Sequence, residues 1–411
     1  MKFPATGRPR VEIDAALAAM TTSDADWRGG RVPLFVFGAG QDVSDVGRSA
    51  FNAFFTENAL GGSRAFPSVK RMEGEVVAMG LDLFNAPTGA AGFMTSGGTE
   101  SIVLAVQAAR DWNRARRGEP AARGNLVLPL TAHPAFDKAA RLMDLEVRRV
   151  ALRPDLRADP AAIEAALDAD TIMVVGSAPC FPYGVVDPVP ELAEVARRRG
   201  VWLHVDACVG GYFAPFAQAL GRPIPPFDLG VPGVCSLSAD LHKFGFCPKP
   251  ASTVFYAEAE RAAMQGFDLD VWPNGRFATA TLVGTRPAGG VAAAWAVLNF
   301  LGREGYTAIA ERLLAMTDAY VAGILDIPGM TVFGQPDLSI IGFGAPGQDM
   351  GAVASGMAER GWVPGLLRDP PGLHMMMSLL HEPARPRYLA DLRAALDAAP
   401  PVRNTPLEAV Y

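Results

Sequence analysis

A lysine set among apolar residues, an aspartate ending an apolar run and a Gly-Gly pair opening a helical stretch are the parts of this chain that could do chemistry together. The lysine is Lys243 in SADLHKFGF (238–246), with Leu241, Phe244 and Phe246 beside it. A lone loop lysine is ordinarily a solvated charge, but neighbours of this kind desolvate it, which is expected to lower its pKa and favour an amine nucleophile. The aspartate is Asp206 in HVDA (204–207), at the carboxyl end of an apolar run, where open α/β sheets place their ligands. An N-cap for the next element is the plainer reading of the same residue. The glycines are Gly97 and Gly98 of TSGGTES (95–101). Glycine lets backbone approach an anion, and the free amides and dipole of a helix start favour phosphate, although such a pair often makes only a tight turn. Each signal is weak alone. Together they offer an amine for a Schiff base, a carboxylate for a protonated ring nitrogen and a cradle for a phosphate, the set that pyridoxal phosphate needs to serve as an electron sink.

Such groups need rigid elements to hold them. Apolar runs of strand length alternate with longer amphipathic stretches, the pattern of βα units on a largely parallel sheet. Strands are predicted at 125–130, 145–152, 171–177, 201–206, 234–237 and 252–256, and helices at 99–117, 134–143, 160–167 and 189–199. Asp206 thereby ends one strand and Lys243 follows another. Beyond about residue 302, strand candidates at 330–333 and 338–342 alternate with helical stretches at 351–360 and 386–399, which reads as a small C-terminal α/β domain. The first 50 residues lack a clean period and read as an arm plus a short helix.

Composition prunes the alternatives. With 50% hydrophobic and 19% charged residues the chain can bury a large core, which excludes general disorder. A net charge of −6, without a dense basic block, argues against a nucleic-acid partner. Cys180, Cys208, Cys235 and Cys247 lack CxxC or zinc-ribbon spacing, so a reduced, cytoplasmic chain with the cysteines as packing residues is expected. Arg10, Glu12 and Asp14 stand where a signal peptide would need an apolar stretch. The longest uncharged stretch, between Arg286 and Arg303, is broken by Pro287 and falls short of the roughly 20 apolar residues of a membrane span. P-loop, nucleophile-elbow and zincin motifs are missing, and the five histidines are never paired at metal-ligand spacing, so no metal is expected.

Six segments, TSGGTES (95–101), TAHPAFDKAA (131–140), GSAPCFPYG (176–184), HVDACVGGY (204–212), SLSADLHKFGFCPKP (236–250) and GTRPAGG (284–290), stand in the order and spacing of the group II pyridoxal-phosphate decarboxylase superfamily. The chain most resembles its sphingosine-1-phosphate lyase branch, and FPSVKRMEGEVV (66–77) and GWVPGLLRDPPGLHMMMSLLH (361–381) extend the resemblance over most of the sequence. It implies an α/β fold of type I, aspartate-aminotransferase-like, with an N-terminal arm and helix (1–57), a large cofactor-binding domain on a mostly parallel sheet (58–301) and a small C-terminal domain (302–411).

The resemblance also implies roles. Lys243 would carry the cofactor as an aldimine, Asp206 would contact the pyridinium, and His133 would stack on the ring face opposite Ala207. Gly97, Gly98 and Thr99 would hold the phosphate with Ser238 and His242, and Gly284 and Thr285 would arrive from the other subunit of a homodimer. Ser177 resembles the residue near the phenolic oxygen, and Lys249 matches a position used near the substrate's phosphate. Asn58 and Arg64 are expected on the substrate side. Gly61 stands where the lyase branch has a histidine, and Arg64 is the cation available to substitute, which leaves long-chain specificity open. Blander roles stay open beside these: His133 at a helix start, His242 as a buried bonded ring, Lys249 as a solvated charge, Tyr183 and Tyr212 as core aromatics, Arg286 as an ion-pair partner. The activity implied is cleavage of a carbon–carbon bond in a small amine substrate. A lyase would split a phosphorylated amino alcohol by retro-aldol chemistry; the alternatives are an L-amino-acid decarboxylase and a cofactor-binding protein without turnover.

Overall fold

The computed structural model describes residues 1–401. Its centre is a seven-stranded sheet of β1 (Ala91–Thr95), β2 (Asn125–Pro129), β3 (Glu146–Val150), β4 (Thr171–Ser177), β5 (Trp202–Asp206), β6 (Val234–Ala239) and β7 (Ser252–Tyr256), in the order β1-β7-β6-β5-β4-β2-β3. β7 runs antiparallel to both of its neighbours, and the remaining pairs are parallel. Every residue of β2, β4, β5 and β6 is buried. This is why these segments read as apolar runs: helices cover both faces of the sheet. Leu203, Val205 and Leu237 join the larger core on one face, while Trp202, Ile102 and Phe136 join a second core on the other.

The helix Gly98–Arg117 follows β1 directly, with Glu100 in its first turn and Arg114, Arg116 and Arg117 in its last, both favourable for the helix dipole. A hairpin of β8 (Phe267–Leu269) and β9 (Phe277–Thr279) projects after the large sheet. The long helix Ala288–Leu325 then carries the chain to a second, antiparallel sheet of β10 (Thr331–Val332), β11 (Ile340–Gly344), β12 (Gly365–Arg368) and β13 (Pro371–Met376), in the order β10-β11-β13-β12. That helix is kinked at Gly302, whose φ of 54° is a conformation glycine adopts without a side-chain clash. The helices Met350–Glu359 and Arg385–Ala398 pack on each other beside this sheet.

One expectation changes here. The first 50 residues hold one complete helix, Arg10–Met20, and most of a second, Gln41–Ala53. The second buries only Val43 and Gly47, too few positions to print a period on the sequence. A further helix, Pro67–Leu83, was hidden for the same reason: three of its residues are buried. The part of the C-terminal expectation that falls on 402–411 lies outside the described residues.

Candidate active site

The carboxyl ends of β4, β5 and β6 and the start of the helix Gly98–Arg117 surround a cavity of about 400 Å³, lined by Gly97, Gly98, Thr99, His133, Ser177, Asp206 and Lys243 among others. At Gly98 a side chain would crowd the site, because a Cβ would stand 2.7 Å from Cys208 Sγ and 2.9 Å from Asp240 Oδ2 and would force those side chains to shift. The first amides of the helix have no intrahelical acceptor, and the residues that carry them, Gly98, Thr99 and Glu100, line this space. Asp206 is 8% exposed; Oδ1 accepts the Cys208 amide at 3.1 Å, and Oδ2 has no protein partner among the described residues. Lys243 Nζ lies 2.9 Å from Asp240 Oδ2.

Two imidazoles border the same space. His133 Nδ1 accepts the Ala135 amide at 3.1 Å, and His242 Nδ1 accepts the Ala251 amide at 3.2 Å. In each neutral ring the proton is therefore on Nε2. Burial holds both below the usual imidazole pKa, against the pull of nearby carboxylates.

Thr99, His133, Phe181, His242 and Lys243 also line a larger cavity of about 1430 Å³. Its walls are largely apolar, from Phe35, Phe37, Leu130, Leu152, Leu156 and Pro370, with Lys249 among them. Lys249 Nζ donates to the Phe35 carbonyl at 3.1 Å and sits 5.9 Å from the centre of the Phe37 ring. Burial, and then Lys243, lower its pKa. Phe181 stands where the cavities meet, its ring 6.3 Å from His133 and 4.5 Å from His374.

Residues 62–344 match the pyridoxal-dependent decarboxylase conserved domain. The chain belongs to this family. It is 37% identical over 389 residues to the sphingosine-1-phosphate lyase of Oryza sativa subsp. japonica, covering 93% of this chain and 71% of that protein. With the probable L-aspartate decarboxylase of Pyrococcus furiosus it shares 33% identity over 362 residues, 88% of this chain and 94% of the relative. The solved Burkholderia pseudomallei sphingosine-1-phosphate lyase superposes with a TM-score of 0.93 at 36% identity, over 97% of this chain and 93% of that one. Glutamate decarboxylase of Lactobacillus brevis, at 17% identity and a TM-score of 0.85 over 98% and 96% of the two chains, shares the fold. This family member is thus a pyridoxal-phosphate-dependent carbon–carbon lyase of fold type I.

The cofactor fits the residues present: unbonded helix-start amides, a Gly98 where a side chain would crowd the site, and a buried carboxylate with one oxygen free. The structure gathers Gly97, Gly98, Thr99, His133, Ser177, Asp206, His242 and Lys243 at one cavity, and brings Lys249 to the adjoining one. Ala207 and Ser238 stand behind the wall: Ala207 is fully buried in the larger core, and the Ser238 hydroxyl is engaged by His204 and Cys208. Asn58, Arg64, Gly284 and Thr285 line neither cavity of this chain. Instead Asn58 Nδ2 donates to Thr285 Oγ1 at 3.3 Å, and its Oδ1 accepts the Leu60 amide at 3.0 Å and the Arg286 amide at 3.3 Å. Arg286 pairs with Glu73 at 2.6 Å, the ion-pair role. Tyr212 is buried against Thr253, and Tyr183 donates to the Asp369 carbonyl at the larger cavity.

The expected lowering of the Lys243 pKa is overturned. Burial does push it down, but the adjacent Asp240, with Cys208 and Asp206 behind it, outweighs burial and holds the ammonium above its ordinary value. Asp240 is correspondingly held low despite its own burial. Sequence reasoning passed over Asp240 and also Glu100, whose carboxylate accepts the Ser96 amide at 2.7 Å and the Leu282 amide at 2.9 Å, tying the 281–285 loop to the helix start. The three-residue spacing of Asp240 from Lys243 is no signal by itself, because the segment is a turn and not a helix, and the pair forms only once the loop folds. Among the described residues there is no helix long and apolar enough to cross a membrane and no group of side chains that could hold a metal.

Proposed function

We propose that this lyase cleaves the Cα–Cβ bond of a phosphorylated 2-amino alcohol, releasing an aldehyde and a phosphorylated amine. Bound pyridoxal phosphate supplies an electron sink for the bond broken at the α-carbon. Lys243 provides the amine that links the cofactor, and Asp240 is its counter-ion when free. The unpartnered Oδ2 of Asp206 holds the proton on the ring nitrogen. Gly97, Gly98, Thr99 and the Nε2–H of His242 would hold the phosphate, and His133 would cover the ring. Ser177, fixed by its amide to Asp187 Oδ2 at 2.7 Å, borders the phenolic edge.

The observation that carries the substrate class is the outer cavity: a large, mostly apolar space that adjoins the inner one at Lys243, with Lys249 on its wall alongside Lys138, Arg149, Arg153 and Arg368. An amino-acid side chain needs far less volume, whereas a phosphorylated amino alcohol with an apolar tail uses both features. The names of the lyase relatives point the same way. Amino-acid decarboxylation is the second reading, favoured by Gly61 at the family histidine and by the Pyrococcus furiosus relative.

We also propose a homodimer. The 58–60 and 284–287 segments are laced together away from this chain's cavity, so they are available to a partner's site, carrying Asn58 and Thr285 with them; Arg64 lies close in sequence. Exposed Phe267, Leu269, Trp272, Leu282 and Val283 give this region an apolar surface to bury. Domains of 1–57, 58–301 and 302–411 agree with the kink at Gly302, and four buried, unpaired cysteines favour a cytoplasmic setting.

Product analysis tests the central assignment. The holoenzyme is incubated with a phosphorylated long-chain 2-amino alcohol and, separately, with a panel of L-amino acids. Aldehyde release without carbon dioxide is expected; carbon dioxide from an amino acid, with no aldehyde, would replace the first reading by the second.

A further inference from the structure

The face of β5 that ends in Asp206 carries a line of polar side chains behind it. Successive strand residues alternate faces, so Trp202, His204 and Asp206 share one face of β5, and Ser236 and Ser238 share one face of β6. The parallel register sets His204 beside Ser236 and Asp206 beside Ser238. Trp202 Nε1 donates to Ser236 Oγ at 2.8 Å, and Ser236 Oγ is 2.8 Å from His204 Nδ1. His204 Nε2 is 3.1 Å from Ser238 Oγ, which reaches Asp206 Oδ1 at 3.5 Å.

The two ends fix the direction of the protons. An indole N–H can only donate, and an ionised carboxylate can only accept. Ser236 therefore gives its one proton to His204 Nδ1, the neutral ring carries its proton on Nε2, and Ser238 passes its own toward Asp206. The whole line is out of solvent: Trp202 is 3% exposed and His204, Ser236 and Ser238 are 0% exposed. Burial draws the His204 pKa down to about 4, which keeps the ring neutral and the direction fixed. Apolar residues of similar shape would fill a core position without needing partners, so mutual satisfaction does not explain why four polar groups stand in line behind one carboxylate.

We propose that Trp202, Ser236, His204 and Ser238 form a positioning relay that orients Asp206, leaving Oδ2 free for the cofactor's ring nitrogen. His204 is a positioning residue in this scheme: it acts only through Ser238 and Asp206. The inference rests on the reading of Asp206 as the ring-nitrogen partner.

The test compares holoenzyme variants by pyridoxal phosphate affinity, by the intensity and position of the bound cofactor's visible band, and by kcat and KM. Ser238→Ala removes one atom and cuts the last link; it is expected to weaken cofactor affinity and lower kcat roughly tenfold, the low end for partners that orient a binding group, with KM unchanged and an altered band. His204→Leu should match it and His204→Gln should recover most of the loss. Asp206→Asn should be worse than any of these, and Asp206→Asn/Ser238→Ala no worse than Asp206→Asn, because the relay acts through that carboxylate. Parent affinity and band in Ser238→Ala, or losses that multiply in the double variant, would overturn the relay while an impaired Asp206→Asn still upheld the reading beneath it. Parent behaviour in Asp206→Asn itself would overturn both. If His204→Leu fails to fold, the Ser238→Ala comparison decides.

Discussion

The two ends of the active-site space are built differently. At the inner end each charged or titratable group is fixed: Lys243 by Asp240, Asp206 by the Cys208 amide, His133 and His242 by backbone amides. The outer end is wide and apolar, with Leu130 57% and Phe35 54% exposed, and Lys249 held there only by a carbonyl and a ring. Preorganised charge is what bond cleavage at a cofactor requires, and a wide, mostly apolar space with cations such as Lys249 on its wall is what choosing among substrates requires.

Variants at the inner end are expected to act on chemistry and variants away from it on retention or stability. The largest effect is expected from Lys243→Ala, with turnover falling by at least about 10³-fold and the cofactor's visible band lost, while circular dichroism stays that of a folded protein. A yellow, active Lys243→Ala protein would abolish the division. Asp206→Asn should still bind the cofactor, though more weakly than the parent, and lose roughly 10²-fold in kcat, on the scale of one preorganised electrostatic contact of about 3 kcal/mol; parent turnover would return Asp206 to a capping role.

Thr285→Glu should weaken cofactor retention by about tenfold or more, since a carboxylate would face the partner's phosphate. Mixed with Lys243→Ala it sharpens the shared-site arrangement: one site of the mixed dimer inherits both defects, the other neither, and activity should return on subunit exchange. A fully active monomer in light scattering would contradict that arrangement. The smallest effect concerns acid. His204 and His374 are buried neutral, each with its pKa lowered by burial from 6.5 to about 4. The unfolded chain takes up those protons first, so their contribution is complete above pH 6.5 and is lost as the pH falls toward 4. Urea midpoints should drop across that window, and His374→Gln should flatten the slope. An unchanged slope would show that His374 is not held neutral.

What the sequence made legible follows from where the information is local. β4, β5 and β6 are buried on both faces, so they read as mostly apolar runs without a solvated face, and Asp206 and Lys243 could be placed at strand ends from the chain alone. The basicity of Lys243 was misjudged because burial is visible as apolar neighbours, whereas a counter-ion is visible only once the loop is folded; Asp240 read as one more acidic residue. The meeting of Asn58 with Thr285 is a tertiary contact between segments far apart in sequence, with no periodic or compositional trace. Ser238 looked like a phosphate ligand because its position in the motif says nothing of which strand face its hydroxyl takes.

The division between the two ends is tested most directly at Lys249. Lys249→Met keeps the length of the side chain and removes its charge, so kcat/KM can be measured for a 2-amino alcohol with and without its phosphate, alongside cofactor affinity. The parent is expected to favour the phosphorylated substrate by about 10²-fold, the variant to lose most of that preference, and both to bind pyridoxal phosphate equally well. A preference that survives in Lys249→Met, or one that vanishes only together with the cofactor, would contradict the assignment of substrate choice to the outer end.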